Sequence, residues 1–425
     1  LDFDKNGRMR LRRTWAALVL VVLPVFTVAP AGPAVAAPGG VLVIDGKGWG
    51  HGVGMAQDGA LAMGRAGLTM PQILGHFYPG TSLATSGGTV RVAVRSGGPD
   101  VTLGFPDGGA MGDSPDPDQS PGFPVRVAPG GTVHLHFDGS QVTVEGGAPA
   151  PSPATPVPPA SARPLWALPS PGGTVDLPER NRRYRGAVEA LAAGSGLRLV
   201  DQVDVETYLK GMGEVRDPSW PLAALQSQAV AARTYALRSM LGGEICDDDH
   251  CQVYLGAQAE YGAMDQAVDS TAHQVVTFNG QLAATVYSAN AGGMSATPDE
   301  GFGAGAQPYP YLRPLPYSTD DPFAWTVTVG LPAVAARLGY PGQLDSVSVA
   351  DAGPSGRAVA VALDGNHGRL QVPGTRFAAA LGLRSTLLNF RTDPTATVAP
   401  PPPPPADATP PGQRLDPVPP SGVAA

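Results

Sequence analysis

A run of alanines at helical spacing sits in the middle of this 425-residue chain. In PLAALQSQAVAARTYALRSM, residues 221–240, Leu222, Leu225, Ala229, Ala232 and Ala236 fall on one face of a helix. A face of such small side chains lets another backbone pack closely, so the stretch reads as a buried helix. Ser219 is expected to cap it and Pro221 to sit in its first turn. Around it the chain alternates apolar and polar residues. TVRVAVRS (89–96), FPVRVAPGGTVHLHFDG (123–139) and QVTVEGG (141–147) are strand patterns separated by Gly, Pro and Asp turns. With 56 Gly and 47 Pro against only 15% charged residues, strands and loops should outweigh long charged helices. The expected fold class is therefore α+β: twisted β-sheets around a buried Ala-rich helix, with helices over residues 55–78 closing a substrate cleft.

The organisation follows from composition. Residues 9–37 read as a signal peptide. Arg10, Arg12 and Arg13 precede an apolar stretch, and Ala34-Val35-Ala36 is a small-x-small cleavage site. That stretch is short and interrupted by Pro24, so no permanent membrane span is expected after cleavage, and the mature chain should be secreted. Residues 38–87 form a first segment and 88–146 a β-rich insertion. Residues 147–179 read as a flexible Pro-rich linker, 180–392 as a main domain, and 393–425 as a disordered Pro-rich tail. A net charge of −8 argues against nucleic acid as a partner.

The two cysteines, Cys246 and Cys251, lie in EICDDDHCQVY. In an exported chain a close pair is most simply a disulfide. A zinc site built from Cys246, His250 and Cys251 is the alternative, although zinc usually takes four ligands. No other cofactor is implied. His134 and His136 lie two apart and so share one side of a strand, with no third ligand nearby.

Two stretches carry candidate chemistry. In GKGWGHGVGMAQDGA (46–60) the glycines imply that something approaches the backbone closely. In YLKGMGEVRDPSWP (208–221) Glu214 sits among Gly, Met, Val, Pro and Trp. Such surroundings desolvate a carboxyl and raise its pKa, as a general acid at neutral pH requires. Asp217 is the rival acid. Arg233 could hold a carboxyl or a sugar. The turn from Ser288 to Gly293 lacks the G-x-S-x-G context of a serine nucleophile and reads as a groove-lining loop.

Several blocks together resemble the SpoIID/LytB family of sporulation and amidase-enhancer proteins. They are YLKG with a Glu before PSWP, ALQSQAVAARTYAL, CDDDHCQVYLG, TVYSANAGGMSA, YPYLRPLPY, FAWTVTV and RFAAALGLRSTLLNF. GKGWGHGVGMAQDGALAMGRAGLTMPQILGHFYPGT belongs to the same set. In many members the GHGVGM block follows the LGLRST block. Here it comes first, so residues 41–80 are expected to fold back onto the domain at about 180–390. The resemblance implies a role in peptidoglycan remodelling at the cell wall. One form of it is a lytic transglycosylase acting on denuded glycan strands, with Glu214 protonating the MurNAc–GlcNAc oxygen and 1,6-anhydro products forming. Trp49, His51, Met55, Gln57, Arg233 and Ser288 would line the groove. The other form is a non-catalytic enhancer of an N-acetylmuramoyl-L-alanine amidase, whose partner would be that amidase.

Overall fold

A computed structural model describes residues 34–35, 40–115, 122–148 and 159–392. The expected signal peptide and Pro-rich tail lie outside these residues, apart from the backbone of Ala34–Val35. The architecture is mixed α+β, with several separate sheets and two hydrophobic cores.

The Ala-rich helix spans Leu222–Ser239 and lies in the larger core. It is buried almost all round: Leu225, Ala229, Val230, Ala232 and Ala236 are all at 2% exposure or less. Small side chains make this enclosure feasible. Helices Gln57–Arg65 and Met70–Phe77 pack on it, as do helices Val205–Lys210 and Gly262–Ser270 and the strand Gln274–Phe278. Its hydroxyls turn inward on its own backbone: Ser227 donates to the Ala223 carbonyl and Thr234 to that of Val230. Two details of the expectation change. Leu222 is exposed at the helix start. Pro221, not Ser219, occupies the N-cap, since the helix starts at Leu222, and the Ser219 N–H donates to Asp217 Oδ1 at 2.9 Å.

The same core includes a seven-stranded sheet. Its order is Ile245–Cys246, Thr89–Ser96, Gly196–Asp204, Ala187–Ala193, Leu165–Pro169, Gly109–Gly112, Val125–Val127. A six-stranded sheet joins Asp100–Phe105, Gly131–Phe137 and Val142–Glu145 to Val175–Leu177 and Arg182–Tyr184, with Ala160–Ser161 at its edge. Residues 88–146 therefore share both sheets with later strands. The linker expected over 147–179 is corrected as well. Three strands occupy 160–177, because Leu165, Ala167 and Val175 are fully buried between neighbours.

The second core gathers Leu42, Ile44, Leu331, Val334, Val361, Leu363, Phe377 and Leu388. Here Val41–Lys47 is the central strand of three, antiparallel to Ala324–Gly330 on one side and Leu388–Thr392 on the other. The chain then leaves this sheet through the glycine run and enters the first core at Val53. Residues 41–80 thus contribute to both cores. Among the described residues no helix is long and apolar enough to cross a membrane.

Candidate active site

The glycine run is a seam between backbones. Trp49 N–H donates to the Asn290 carbonyl at 2.7 Å and Asn290 N–H returns to Trp49 at 3.1 Å. The Ala296 N–H bonds to Gly52 O, and Met55–Ala56 pairs in parallel with Tyr287–Ser288. Two glycines show why side chains are missing. Gly54 has φ +72°, and a Cβ there would overlap the Val286 carbonyl. Gly52 has φ +75°, and a Cβ there would meet the Arg357 guanidinium. What approaches the backbone at these two glycines is the protein itself.

This seam delivers Gln57 to Glu214. Glu214 follows the strand-like bridge between Met212 and Tyr254. Gly213 N–H bonds to Val253 O at 2.8 Å, and Val253 N–H donates to Glu214 Oε1 at 2.9 Å. The loop after it is tied by Tyr261, whose hydroxyl donates to Val215 O at 2.8 Å. Leu209, Met212, Val215, Ala229, Ala232 and Met264 line the small cavity against the carboxyl. That apolar wall desolvates Glu214 and pushes its pKa from 4.5 up to about 7. Hydrogen bonds from Val253 N–H, Tyr287 and Gln57 oppose the rise, while the charge of Asp249 adds to it. Glu214 remains partly exposed. The result is a carboxyl that holds or releases its proton near neutrality.

A chain of buried polar groups stands behind it. Gln252 donates through Nε2 to the Tyr287 hydroxyl at 2.8 Å and accepts at Oε1 from the Tyr208 hydroxyl at 3.0 Å. Gln57 Nε2 also reaches Gln228 Oε1 at 3.3 Å. Tyr208, Gln252 and Tyr287 are all fully buried. Tyr287 and Gln252 lie in the TVYSANAGGMSA and CDDDHCQVYLG blocks, but residue type alone did not single them out.

Of the residues expected to line the groove, Gln57 joins Glu214 and the others do not. Met55 and Ser288 are fully buried. Trp49 is 5% exposed, with the Arg384 guanidinium 4.5 Å from its ring centroid and Phe323 at 5.1 Å. The guanidinium covers a face of the ring, and little of the residue is left open. Arg233 is completely buried and spent on structure: it grips Glu206 with two nitrogens and donates to the Gln274 and Val268 carbonyls. His51 Nδ1 accepts from Val53 N–H at 2.9 Å, so the imidazole braces its own loop. Burial, aided by the nearby Arg357 charge, holds its pKa down at about 3, against a small opposing pull from the Tyr287 carbonyl. It is neutral at any pH where Glu214 ionises.

The rival carboxyl sits in different surroundings. Asp217 is exposed, and the Ser219 hydroxyl and N–H hold its pKa below the usual range. A carboxyl that the sequence did not single out is Asp58. Burial raises it to about 6, against hydrogen bonds from Thr319 and Tyr317. It lines a cavity beside Trp49, Leu61, Asn290 and Phe323. Cys246 and Cys251 are joined as a disulfide. Their sulfurs are consumed by that bond, so the zinc site built from Cys246, His250 and Cys251 does not form. His250 Nδ1 instead lies 3.2 Å from Asp248 Oδ1.

Residues 193–278, which hold Glu214, Gln252 and the Ala-rich helix, match the family model of SpoIID, stage II sporulation protein. Over this stretch the chain is similar to the SpoIID domain. An uncharacterized protein of Brachyspira hyodysenteriae is 32% identical to this chain over 133 residues, 30% of the chain and 36% of the relative. The amidase enhancer of Bacillus subtilis is 33% identical over 111 residues, 26% of the chain and 15% of the relative. The matches thus span about a third and about a seventh of those relatives. The Gln57 side of the site lies outside the SpoIID match, and the fold brings it in through the glycine seam.

Proposed function

We propose that this protein remodels peptidoglycan and cleaves its glycan strands as a lytic transglycosylase, with Glu214 as the acid. The observation that carries the reading is Glu214 itself. It is a partly open carboxyl, raised to about 7 by an apolar wall and furnished with three donors for its ionised form. Protonated Glu214 gives its proton to the glycosidic oxygen between MurNAc and GlcNAc. The bond to the anomeric carbon breaks, and the 6-hydroxyl of the same MurNAc attacks that carbon. Glu214, now a carboxylate, takes the hydroxyl proton and is regenerated. The product ends in a 1,6-anhydro ring. One carboxyl suffices because the nucleophile comes from the substrate, unlike the two-carboxylate scheme of ordinary glycosidases. Val253 N–H, Tyr287 and Gln57 stabilise the carboxylate between the two proton transfers.

The SpoIID match supports a cell-wall role on the secreted side, with glycan strands as the partner. The match to an amidase enhancer favours a second reading, in which the same surface binds glycan and a cell-wall amidase without turnover. Digestion of peptide-free glycan strands, with products read by mass spectrometry, separates the two. Anhydro-ended fragments from wild type and none from Glu214→Gln are expected. No fragments from wild type, with strand binding retained, would replace the enzyme by the enhancer.

A further inference from the structure

The polar chain behind Glu214 has a direction, and one residue sets it. The side-chain amide of Gln252 is fully buried, so each of its atoms must find its own partner. Its orientation is fixed by a group that only accepts: Nε2 faces the Ala232 carbonyl at 3.4 Å as well as the Tyr287 oxygen at 2.8 Å. Oε1 therefore faces Tyr208, whose hydroxyl has to donate, at 3.0 Å. The second consequence falls on Tyr287. Its oxygen already accepts from Gln252, so its proton turns to an acceptor on the other side. The acceptor there is Glu214.

We infer that Gln252 is a positioning residue, which holds the Tyr287 hydroxyl as a hydrogen-bond donor toward the Glu214 carboxyl. As a role in catalysis it rests on the transglycosylase reading; as a statement about the proton of Glu214 it does not. The titratable groups facing Glu214 are Tyr287, Tyr208 and Asp249. The tyrosines stay protonated across the neutral range because burial raises both. A donor aimed at the carboxylate favours the ionised form, so it holds the Glu214 midpoint lower than burial alone would. Without the Gln252 amide the Tyr287 hydroxyl is free to rotate away, and the midpoint climbs.

The test reads the proton directly and without substrate. The full chain is labelled with carboxyl-13C glutamate, Glu214 is assigned by its loss in Glu214→Gln, and its titration is followed by NMR. In Gln252→Met, which keeps the volume and loses the amide, the midpoint should rise by about one pH unit, roughly tenfold in proton affinity. Tyr287→Phe should raise it similarly, and the double variant should match Tyr287→Phe alone. An unmoved midpoint in Gln252→Met, or a double variant that sums the two shifts, overturns the inference. If Gln252→Met does not fold, the isosteric Gln252→Glu replaces it. Its new charge acts on Glu214 with or without the Tyr287 hydroxyl, so the rise should be larger in the wild-type background than in Tyr287→Phe; equal rises overturn the inference. Glycan digestion then separates the two claims. Anhydro products with an unmoved midpoint sink the role of Gln252 and leave the enzyme, whereas a moved midpoint without products does the reverse.

Discussion

Replacing Glu214 with Gln should change how stability depends on pH, in a direction fixed by the wall around the carboxyl. In the unfolded chain Glu214 titrates near its ordinary 4.5, and in the folded protein near 7. Below pH 4.5 both states hold the proton and the residue contributes no pH slope. Between 4.5 and 7 the folded state binds more proton than the unfolded one, so unfolding free energy falls as pH rises. Above 7 both states are ionised and the full penalty is in place. At 1.36 kcal/mol per pH unit, that interval of about 2.5 corresponds to roughly 3 kcal/mol. Gln cannot titrate, so Glu214→Gln lacks this decline. Asp201, raised to about 7, and Asp58, raised to about 6, bend both curves alike and cancel in the difference. Urea unfolding of both proteins at half-unit steps from pH 4.5 to 8 measures it. The gap between the two free energies should shift in favour of Glu214→Gln by a few kcal/mol across that range. Parallel curves would refute the desolvated carboxyl, and with it the physical basis for an acid at this position.

Three further outcomes follow from the same geometry. Arg233→Met should cost about 3–5 kcal/mol in an unfolding titration, because it strands the Glu206 carboxylate and two carbonyls around a fully buried position; a loss below 1 kcal/mol would argue for the exposed, sugar-facing arginine instead. The His51 ring should show no NMR titration between pH 5 and 8, since burial and Arg357 hold its pKa down near 3; a midpoint near 6.5 would mean the ring reaches solvent. Gly54→Ala should destabilise by at least about 1–3 kcal/mol, from the positive φ and the overlap with Val286 O. It should also weaken glycan cleavage by shifting Gln57, and a variant as stable and active as wild type would refute the tight seam.

Local chemistry made part of this legible. Alanine spacing exposed the buried helix, alternation exposed the strands of 88–146, and apolar neighbours pointed to Glu214. What stayed hidden was set by distant partners. Arg233 looked available because nothing near it in sequence announces Glu206 as its mate across the fold. The glycines correctly signalled a close approach, but glycine does not say whether backbone or ligand does the approaching. The stretch 160–177 was hidden by its prolines, although Leu165 and Val175 are as buried as any strand residue. Gln252 and Tyr287 carry no motif of their own. Only burial turns an amide and a phenol into a directed pair.

The strand Val41–Lys47 has a consequence for the order in which this protein comes into being. It is the middle strand of its sheet, and Arg391 bonds to Asp45 across 346 residues of chain. A ribosome finishes this strand early, yet one of its two neighbours is among the last described residues made. Loop closure over such a span is entropically costly, so the pairing belongs to the slow end of folding. Until then the strand has an open edge, even after the seam with residues 286–296 has placed Gln57 beside Glu214. A product truncated before residue 388 would lack the edge strand that closes this sheet.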